Sequence, residues 1–317
     1  MISKTLIIGA CGQIGSELTY KLRAELGAEN VIASDIKESN LELVKSGPFK
    51  ILDAKNYEQI KDCVEKNNVD TIYLMAAMLS ATGEKFPEKA WDLNMSSLLN
   101  VLNLAKENII DKVFWPSSIA VFGPTTPKTD TPQRTIMEPT TVYGITKQVG
   151  ERWCEYYFNN YGVDVRSIRY PGIISWKTLP GGGTTDYAID IFHKAINEGH
   201  YDCFLTEDTA LPMMFMEDAV KATLDIMNAE ASDVKIRSSY NLAAISFTPK
   251  ELAAEIKKQI PDFTIDYEPD FRQKIADSWP NSIDDSAARQ DWNWKHVFDL
   301  QTMTNEMLQQ LGKPAIS

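Results

Sequence analysis

The sequence is poor in the residues that hold metal ions and disulfides. Its 317 residues include four cysteines and three histidines. The cysteines are scattered, with no CxxC pair and no histidine at ligand spacing, so neither a zinc centre nor a disulfide framework is expected. We predict that the activity of this protein does not depend on a metal ion. Cys11, Cys63, Cys154 and Cys203 are then reduced thiols that pack as small apolar side chains.

Positive charge is also in deficit. Lys and Arg number 32 against 44 Asp and Glu, a formal net charge of −12. This balance argues against nucleic-acid and anionic-membrane partners, because both reward clustered cations. No apolar run approaches the roughly 20 residues of a membrane span. The first strand begins within about four residues, which leaves no room for a signal or transit peptide. We therefore expect a cytoplasmic protein.

The N-terminal segment has the pattern of a dinucleotide-binding unit. An apolar run at residues 5–8 leads into Gly9, Gly12 and Gly15, and a second apolar run ends at Asp35. In this pattern the first glycine allows a tight turn and the second lets the backbone approach a pyrophosphate. The third lets the next helix pack close to the strand. A merely glycine-rich turn is the alternative, but the surrounding elements favour a coenzyme site.

The helix predicted at residues 13–26 would direct its first amides, at Gln13 and Ile14, and its dipole toward the phosphates. Asp35 can accept hydrogen bonds from an adenosine ribose and would repel a 2′-phosphate, which favours NAD over NADP. Lys37 could tolerate a phosphate, although a solvated surface position is its simpler role.

Strand-length apolar runs alternate with helical patterns through the first half of the chain. The predicted strands are 49–53, 71–75, 113–115 and 163–168, and the predicted helices are 57–67, 90–107 and 142–161. This alternation indicates a mostly parallel sheet covered on both faces. We predict an α/β fold with a Rossmann-type doubly wound sheet, whose ligand crevice lies at the carboxyl ends of the strands.

The pattern changes after about residue 175. Residues 1–175 are predicted to form the NAD-binding domain with the catalytic set. Residues 176–317 form a smaller, mixed α/β substrate-binding lobe with helices near 186–199, 217–228 and 249–259.

A tyrosine, a lysine and a serine form the candidate catalytic set. Tyr143 and Lys147 lie four residues apart on one helix face, and Ser118 follows a predicted strand. A second pair with this spacing, Tyr57 and Lys61, has no serine placed to join it and is interpreted as surface. An ammonium and a nicotinamide cation could lower the pKa of Tyr143 by roughly 1–3 units, so that it acts as a general base. Ser118 would then orient the substrate hydroxyl.

These motifs resemble the extended branch of the short-chain dehydrogenase/reductase family, the branch of the sugar-nucleotide epimerases and dehydratases. The resemblance covers roughly the first 175 residues. It implies that Asp53 and Ala54 contact adenine, that Leu74 and Ala76 line the coenzyme cleft, and that Lys147 holds the nicotinamide ribose beside Tyr143. It also implies that Tyr170 and Ile173 touch the nicotinamide end. For the apolar residues, plain core packing is the alternative.

The second half departs from the sugar-nucleotide enzymes. Residues 209–218 contain no cation, so a substrate diphosphate would be poorly held. The loop at residues 171–187, with Ser278-Trp279-Pro280 and Asp284-Asp285, resembles the short-chain-type L-threonine 3-dehydrogenases. This resemblance implies oxidation of the C3 hydroxyl of L-threonine by NAD to 2-amino-3-oxobutanoate.

A small amino acid needs partners for its carboxylate and ammonium. Candidate substrate-binding residues are Ser80, Ser118, Tyr143, Gly183, Thr184 and Thr185. Alternatively, the glycines at 181–183 form only a connection, with Thr184 as the N-cap of the next helix. Three successive glycines also suggest a lid that closes over substrate.

Two other functions stay open. A sugar-nucleotide epimerase or dehydratase would use the same Ser/Tyr/Lys set, and a non-catalytic NAD-sensing protein could share the fold. The helices predicted at 90–107 and 142–161 carry apolar residues on more than one face. In the resembled family these helices pair between subunits, which implies a C2 homodimer.

Overall fold

The computed structural model describes residues 4–177, 179 and 183–312. The strands are β1 (Thr5–Ile8), β2 (Val31–Asp35), β3 (Phe49–Ile51), β4 (Thr71–Leu74), β5 (Lys112–Phe114), β6 (Ser117–Ser118), β7 (Asp164–Arg166), β8 (Ile168–Tyr170), β9 (Gly172–Ile174), β10 (His200–Cys203), β11 (Leu211–Phe215), β12 (Tyr240–Asn241), β13 (Ile245–Phe247) and β14 (Thr264–Tyr267). The helices are α1 (Gln13–Leu26), α2 (Leu41–Lys45), α3 (Tyr57–Asn67), α4 (Ser80–Lys85), α5 (Pro87–Lys106), α6 (Val142–Tyr161), α7 (Tyr187–Asn197), α8 (Met216–Asn228), α9 (Pro249–Lys257), α10 (Arg272–Ala276), α11 (Ser286–Trp292) and α12 (Leu300–Leu311). Short 3-10 turns occupy Ala28–Asn30 and Ile119–Val121.

Six strands form the central sheet in the order β3-β2-β1-β4-β5-β7, and every pair in it is parallel. All four residues of β1 and all four of β4 are buried, as expected for strands covered on both faces. The strand order reverses between β1 and β4, so the ligand crevice of such a sheet opens at their carboxyl ends. The predicted Rossmann-type α/β fold is confirmed.

The chain divides into two compact units. The first comprises Met1–Val121, Pro139–Arg169 and Val220–Tyr240, and the second comprises Phe122–Glu138, Tyr170–Ala219 and Asn241–Ser317. The predicted division after residue 175 makes a single cut, whereas these units interleave along the chain.

Residues of α8 belong to the first unit because Arg166 is bound to the end of that helix. Its Nη1 atom donates to the carbonyl oxygens of Ile226 and Ala229, each at 2.6 Å. Carbonyls at a helix C-terminus lack partners within the helix, and a buried guanidinium supplies the missing donors.

The core of the second unit lies around the sheet β13-β11-β9. Every residue of β11 is buried. Fully buried aromatic side chains on α7, β11 and β13 (Tyr187, Phe192, Phe215 and Phe247) form much of this core. The pair β10 and β14 forms a separate two-stranded parallel sheet.

Within the described part of the chain, no helix combines the length and apolarity that crossing a membrane requires. The four cysteines carry free thiols; Cys154 and Cys203 are buried, and Cys11 and Cys63 are partly exposed.

Candidate active site

The turn after β1 requires glycine. Gly9 has a φ of +90°, in the region that L side chains rarely adopt. A Cβ atom at Gly9 would overlap the backbone amide of Ala76, and one at Gly15 would overlap the carbonyl oxygen of Gly9. These close approaches bring β1, the end of β4 and the first turn of α1 together.

The start of α1 is open to an anion. Gly12 is the N-cap residue, no side chain caps the helix, and its first turn carries no acidic residue. A Cβ atom at Gly12 would lie no closer than 3.4 Å to another atom. The space above the N-terminus of this helix is therefore free, and backbone amides and the helix dipole favour a phosphate there.

Asp35 is fixed beside this loop. Its Oδ2 atom accepts a hydrogen bond from the Cys11 amide at 2.9 Å, and its Oδ1 atom accepts one from the Ile36 amide at 2.8 Å. A carboxylate oxygen accepts more than one hydrogen bond, so both oxygens keep capacity for ribose hydroxyls.

A cavity of about 560 Å³ joins these features in the first unit. Of the predicted coenzyme residues, Gly9, Gly12, Asp35, Asp53, Ala54 and Ala76 line it. The other predicted coenzyme residues are not among the residues that line it: Gln13, Ile14, Gly15, Leu74, Tyr143, Lys147, Tyr170 and Ile173. Leu74 lies in β4, 1% exposed, where it contributes core packing.

Some residues that line the cavity were not predicted from the sequence. Met75, Ala77 and Met78 follow the end of β4, where the strand pattern could have found them. Lys89 and Asp92 come from the start of α5, and no local pattern indicates that this helix faces the cavity.

Two glycines of α6 bring Tyr143 to Ser118. A Cβ atom at Gly144 would overlap the carbonyl oxygen of Ala120, and one at Gly150 would overlap the ring of Trp115. The helix therefore lies directly against the segment that carries Ser118. Ser118 lies close enough to the Tyr143 hydroxyl to oppose the rise in its pKa, so the structure brings the predicted serine and tyrosine together.

Lys147 lies one turn further along α6 and is 3% exposed. Its Nζ atom donates to the carbonyl oxygen of Pro116 at 2.6 Å and lies 4.6 Å from the ring centroid of Trp115. The same atom is 5.5 Å from the ring centroid of Tyr143. A carbonyl and an aromatic face are the contacts that hold a buried cation.

Burial shifts both titrating groups. It raises the pKa of Tyr143 to about 12, which the nearby Ser118 side chain partly offsets. It lowers the pKa of Lys147 to about 7, against the opposing attraction of Cys154 and Glu151. The lowered tyrosine pKa expected from the sequence requires the nicotinamide cation; in the protein alone, the shift of Tyr143 has the opposite sign.

The pKa of Lys147 predicts how stability depends on pH. Between pH of about 7 and 10.5 the lysine is protonated in the unfolded chain and neutral in the folded protein, so the free energy of unfolding rises with pH. The contribution of Lys147 to the free energy of unfolding is lowest below about pH 7, where its buried amine is charged. We expect the difference in unfolding free energy between wild type and Lys147→Met to grow in favour of wild type from pH 7 to 9. Denaturant unfolding without coenzyme measures it, and a constant difference would contradict the assigned cause.

A buried ion pair lies one turn beyond Lys147. Glu151 is 0% exposed, and its carboxylate accepts from Arg169 Nε at 2.8 Å and from Nη2 at 2.7 Å. The same carboxylate accepts from the Ser117 hydroxyl at 2.7 Å. This bidentate pair therefore holds α6 against the strand residue that precedes Ser118.

A second buried polar contact connects α6 with the coenzyme cavity. Asn94 on α5 accepts from the Met78 amide at 2.8 Å and donates to the Thr146 hydroxyl at 3.1 Å. Thr146 in turn donates to the carbonyl oxygen of Tyr143 at 2.8 Å. Sequence reasoning missed Asn94, Glu151 and Arg169, whose only signal is a polar residue within an otherwise apolar face.

Ser80 begins α4 in the first unit and is partly buried. On the same helix, Glu84 accepts from the Val142 amide at 2.7 Å. The helix that carries Ser80 thereby caps the start of α6, next to Tyr143.

The remaining predicted substrate residues lie in the second unit. Gly183 donates its amide to Asp186 Oδ2 at 2.8 Å, and Thr184 is 7% exposed. The N-cap of α7 is Asp186, so the alternative role of Thr184 as that N-cap is wrong. The predicted lid includes Gly181 and Gly182, which lie outside the described residues, as does Thr178.

Thr185 contacts β9, the strand that carries Ile173, one of the two predicted nicotinamide contacts. Its methyl carbon would lie 2.7 Å from a Cβ atom at Gly172, and Gly172 begins β9 between Tyr170 and Ile173. Tyr170 is buried at 5% exposure, and Ile173 is partly buried. Tyr170, Ile173 and Thr185 therefore lie in one region of the second unit.

The Tyr57 and Lys61 pair, interpreted as surface, is partly buried, and Tyr57 packs against the core of the first unit. The Tyr57 hydroxyl donates to Glu107 Oε2 at 2.7 Å. Burial, with Glu107 adding to it, raises the pKa of Tyr57 to about 12. No role in the candidate active site follows from this position.

Comparison with known proteins identifies the family. The model of the NAD dependent epimerase/dehydratase family matches residues 5–243. The chain belongs to this family. An uncharacterized epimerase/dehydratase of Staphylococcus saprophyticus is 50% identical over 309 residues, which cover 97% of this chain and 96% of that protein.

Two solved structures that are similar to this chain are L-threonine dehydrogenases. A GalE-like L-threonine dehydrogenase from Cupriavidus necator, in its holo form, is 56% identical with a TM-score of 0.94 over 97% of this chain and 99% of that one. A monomeric L-threonine 3-dehydrogenase from a metagenome is 48% identical with a TM-score of 0.91 over 97% and 98%.

The coenzyme of this enzyme is NAD. The residues present fit it: the glycine turn leaves room at the open start of α1, and Asp35 stands beside that turn.

Proposed function

We propose that the enzyme oxidises the C3 hydroxyl of L-threonine, giving 2-amino-3-oxobutanoate, NADH and a proton. The observation that carries this proposal is the closeness of Ser118 to the Tyr143 hydroxyl, beside Lys147. It occurs in a chain 56% identical to an L-threonine dehydrogenase. Bound NAD supplies the acceptor for the hydride.

Side chains of the protein accept the proton of the substrate hydroxyl and orient that hydroxyl. Tyr143 takes the proton of the C3 hydroxyl, and Ser118 orients that hydroxyl. Lys147 holds the nicotinamide ribose, and its ammonium form, which predominates below about pH 7 in the protein alone, favours the phenolate of Tyr143. Because burial alone raises the pKa of Tyr143, the positive charge of NAD is needed before Tyr143 can act as a base.

The substrate is small in this proposal. Residues 209–218 offer no cation, and β11 within them is buried throughout, so that segment supplies no clamp for a diphosphate. We propose that the amides and hydroxyls at Gly183, Thr184 and Thr185 of the second unit bind the carboxylate and ammonium of threonine. Ser80, in the first unit, is a further candidate for substrate binding.

An absorbance assay for NADH tests the proposal. The purified enzyme with NAD is offered L-threonine, its stereoisomers, L-serine and UDP-sugars in separate reactions. We expect NADH with L-threonine and little with the others. Absence of NADH with L-threonine would contradict the proposed substrate.

A sugar-nucleotide epimerase or dehydratase is the second candidate, favoured by the family and by the name of the staphylococcal relative. Such an enzyme uses the same Ser/Tyr/Lys set but releases no net NADH. Conversion of a UDP-sugar followed by chromatography, without change in NADH absorbance, would select this function instead.

Coenzyme choice depends on Asp35 in this proposal. Because its carboxylate would repel a 2′-phosphate, we expect kcat/KM with NAD to exceed that with NADP at least tenfold. Asp35→Ala should reduce the ratio of kcat/KM with NAD to kcat/KM with NADP, chiefly by raising kcat/KM with NADP. Steady-state kinetics with both coenzymes measure this, and equal use of the two by wild type would show that Asp35 does not set the choice.

We also propose a C2 homodimer. An aromatic groove on α6, lined by Val149, Arg152, Trp153, Tyr156, Tyr157 and Tyr161, encloses about 730 Å³. Tyr156 and Tyr161 are 46% and 43% exposed. A large exposed aromatic patch is typical of a protein interface, and a second copy would cover it isologously. The monomeric metagenome relative shows that this state needs a direct test.

Light scattering at micromolar concentration provides that test. We expect a particle of twice 35.7 kDa, and Tyr156→Glu should shift it to the monomer by placing a charge in the covered face. Phe271→Glu is the matched control, because Phe271 is 72% exposed in the other unit and its substitution should leave the mass unchanged. A wild-type particle of 35.7 kDa would refute the dimer.

A further inference from the structure

Two strands of the second unit place a histidine and two aspartates on one face. The register of β10 and β14 sets His200 opposite Thr264 and Asp202 opposite Asp266. Residues two apart on a strand share a face, so all four side chains lie together. Nε2 of His200 is 3.0 Å from Asp202 Oδ1 and 3.8 Å from Asp266 Oδ2. The three candidate ligand atoms lie within 4.8 Å of one another.

The other ring nitrogen fixes the orientation of His200. Its Nδ1 atom lies 2.7 Å from the Thr264 hydroxyl, which donates to the carbonyl oxygen of Gly199 at 3.5 Å. A hydroxyl has one proton, so in the tautomer that keeps the Thr264 proton on the Gly199 carbonyl oxygen, Thr264 accepts from Nδ1–H. In this tautomer the lone pair of Nε2 points at two carboxylate oxygens. In this arrangement three acceptors face one another, and a proton or a metal cation between them removes their repulsion.

Two like charges directly opposite on neighbouring strands also destabilise the pair. Lys194 on α7 interacts electrostatically with Asp202, but its ammonium is bound to Glu198 Oε1 at 2.5 Å. The side chains of Asp202 and Asp266 are 63% and 75% exposed. The group is therefore open to an ion from solvent, with room for water to complete its coordination.

We propose that His200, Asp202 and Asp266 bind a divalent transition-metal ion of the zinc class. One imidazole and two carboxylates suit zinc, whereas magnesium and calcium prefer oxygen ligands alone. Thr264 orients the ring from the opposite side, as partners of ligating histidines commonly do. The ion joins two short strands whose facing residues, His200 and Thr264, are 64 positions apart in the chain, and a two-stranded sheet has little stability alone. The role is structural and separate from the proposed oxidation.

Zinc chloride added to the full-length enzyme tests the site by equilibrium dialysis. His200→Asn should bind one equivalent fewer than wild type, while His296→Asn, which removes a histidine outside any such group among the described residues, should bind as wild type does. Thr264→Val should keep the ligands but weaken binding about 10- to 100-fold, because the ring loses its orienting partner. Equal zinc uptake by wild type and His200→Asn, or no uptake by wild type, would overturn the proposal.

Thermal unfolding gives an independent readout. In EDTA, Asp266→Asn should have a Tm equal to or above that of wild type, because it removes the repulsion between Asp202 and Asp266. With zinc, wild type should gain Tm and Asp266→Asn should not. A lower Tm for Asp266→Asn in EDTA would show that a proton on His200 holds the cluster as an ion pair, and the metal site would be rejected.

Discussion

Tyr143→Phe is expected to lower turnover with L-threonine at least a hundredfold, about 2.7 kcal/mol in the activation free energy. The substitution removes the proton acceptor and keeps the ring, so NAD should bind with unchanged affinity. Steady-state kinetics and a fluorescence titration with NAD separate the two effects. Ser118→Ala should reduce kcat less severely, because it removes one orienting hydrogen bond and leaves the acceptor in place.

Tyr57→Phe is the matched control for this prediction. Tyr57 also precedes a lysine by four residues, but its hydroxyl is bound to Glu107, so activity should stay unchanged. The pH profile of kcat should rise through an apparent pKa well below that of free tyrosine, and Lys147→Ala should move it upward. Near-normal turnover by Tyr143→Phe would show that another group takes the proton.

Glu151→Gln should destabilise the protein by about 3 kcal/mol, because it leaves the buried Arg169 guanidinium without its counter-charge. Replacing both partners, as Glu151→Leu with Arg169→Met, should recover most of that loss, since apolar side chains avoid the cost of burying charge. Denaturant unfolding of Glu151→Leu, Arg169→Met and the double variant measures the coupling between the two residues.

An exposed ion pair provides the control. Asp62 and Lys66 pair on α3 with side chains 61% and 71% exposed, so Asp62→Asn should change the free energy of unfolding by less than about 1 kcal/mol. If Glu151→Gln changes stability as little as Asp62→Asn does, the buried pair is not what holds α6 against Ser117.

Local signals were sufficient for three helices of the first unit. Helices α1, α3 and α6 begin and end at the residues predicted from sequence, because each has a clear boundary signal. Gly12 and Gly27 flank α1, the Asn56 side chain caps α3, and the Thr141 side chain caps α6 while Gly162 ends it. Such caps act within one turn of the chain and are therefore visible in the sequence.

Contacts between residues far apart in the chain could not be predicted from the sequence. The apolar run 163–168 was predicted as one strand, but the structure ends β7 at Arg166 and begins β8 at Ile168 in a different sheet. The intervening Ser167 hydroxyl donates to Ser239 Oγ at 3.0 Å. A partner so distant in the chain leaves no periodic signal near Ser167, so the break could not be predicted.

The residues of the candidate site also fall into two groups, those that local sequence patterns identify and those that only the fold reveals. Gly9, Gly12 and Asp35 could be identified because the strand–turn–helix pattern fixes their spacing. Glu151 and Asn94 could not, since a polar residue on a helix is usually a solvated one, and only the fold shows that these two are buried with partners.

The most direct test of the proposed reaction follows the hydrogen at C3. Purified enzyme is incubated with NAD and L-threonine that carries deuterium at C3, and the NADH formed is examined by mass spectrometry. Hydride transfer from C3 predicts NADH that has gained one deuterium, and none when the label is at C2 instead. Unlabelled NADH from the C3-labelled substrate, or no NADH at all, would contradict the oxidation of threonine at C3.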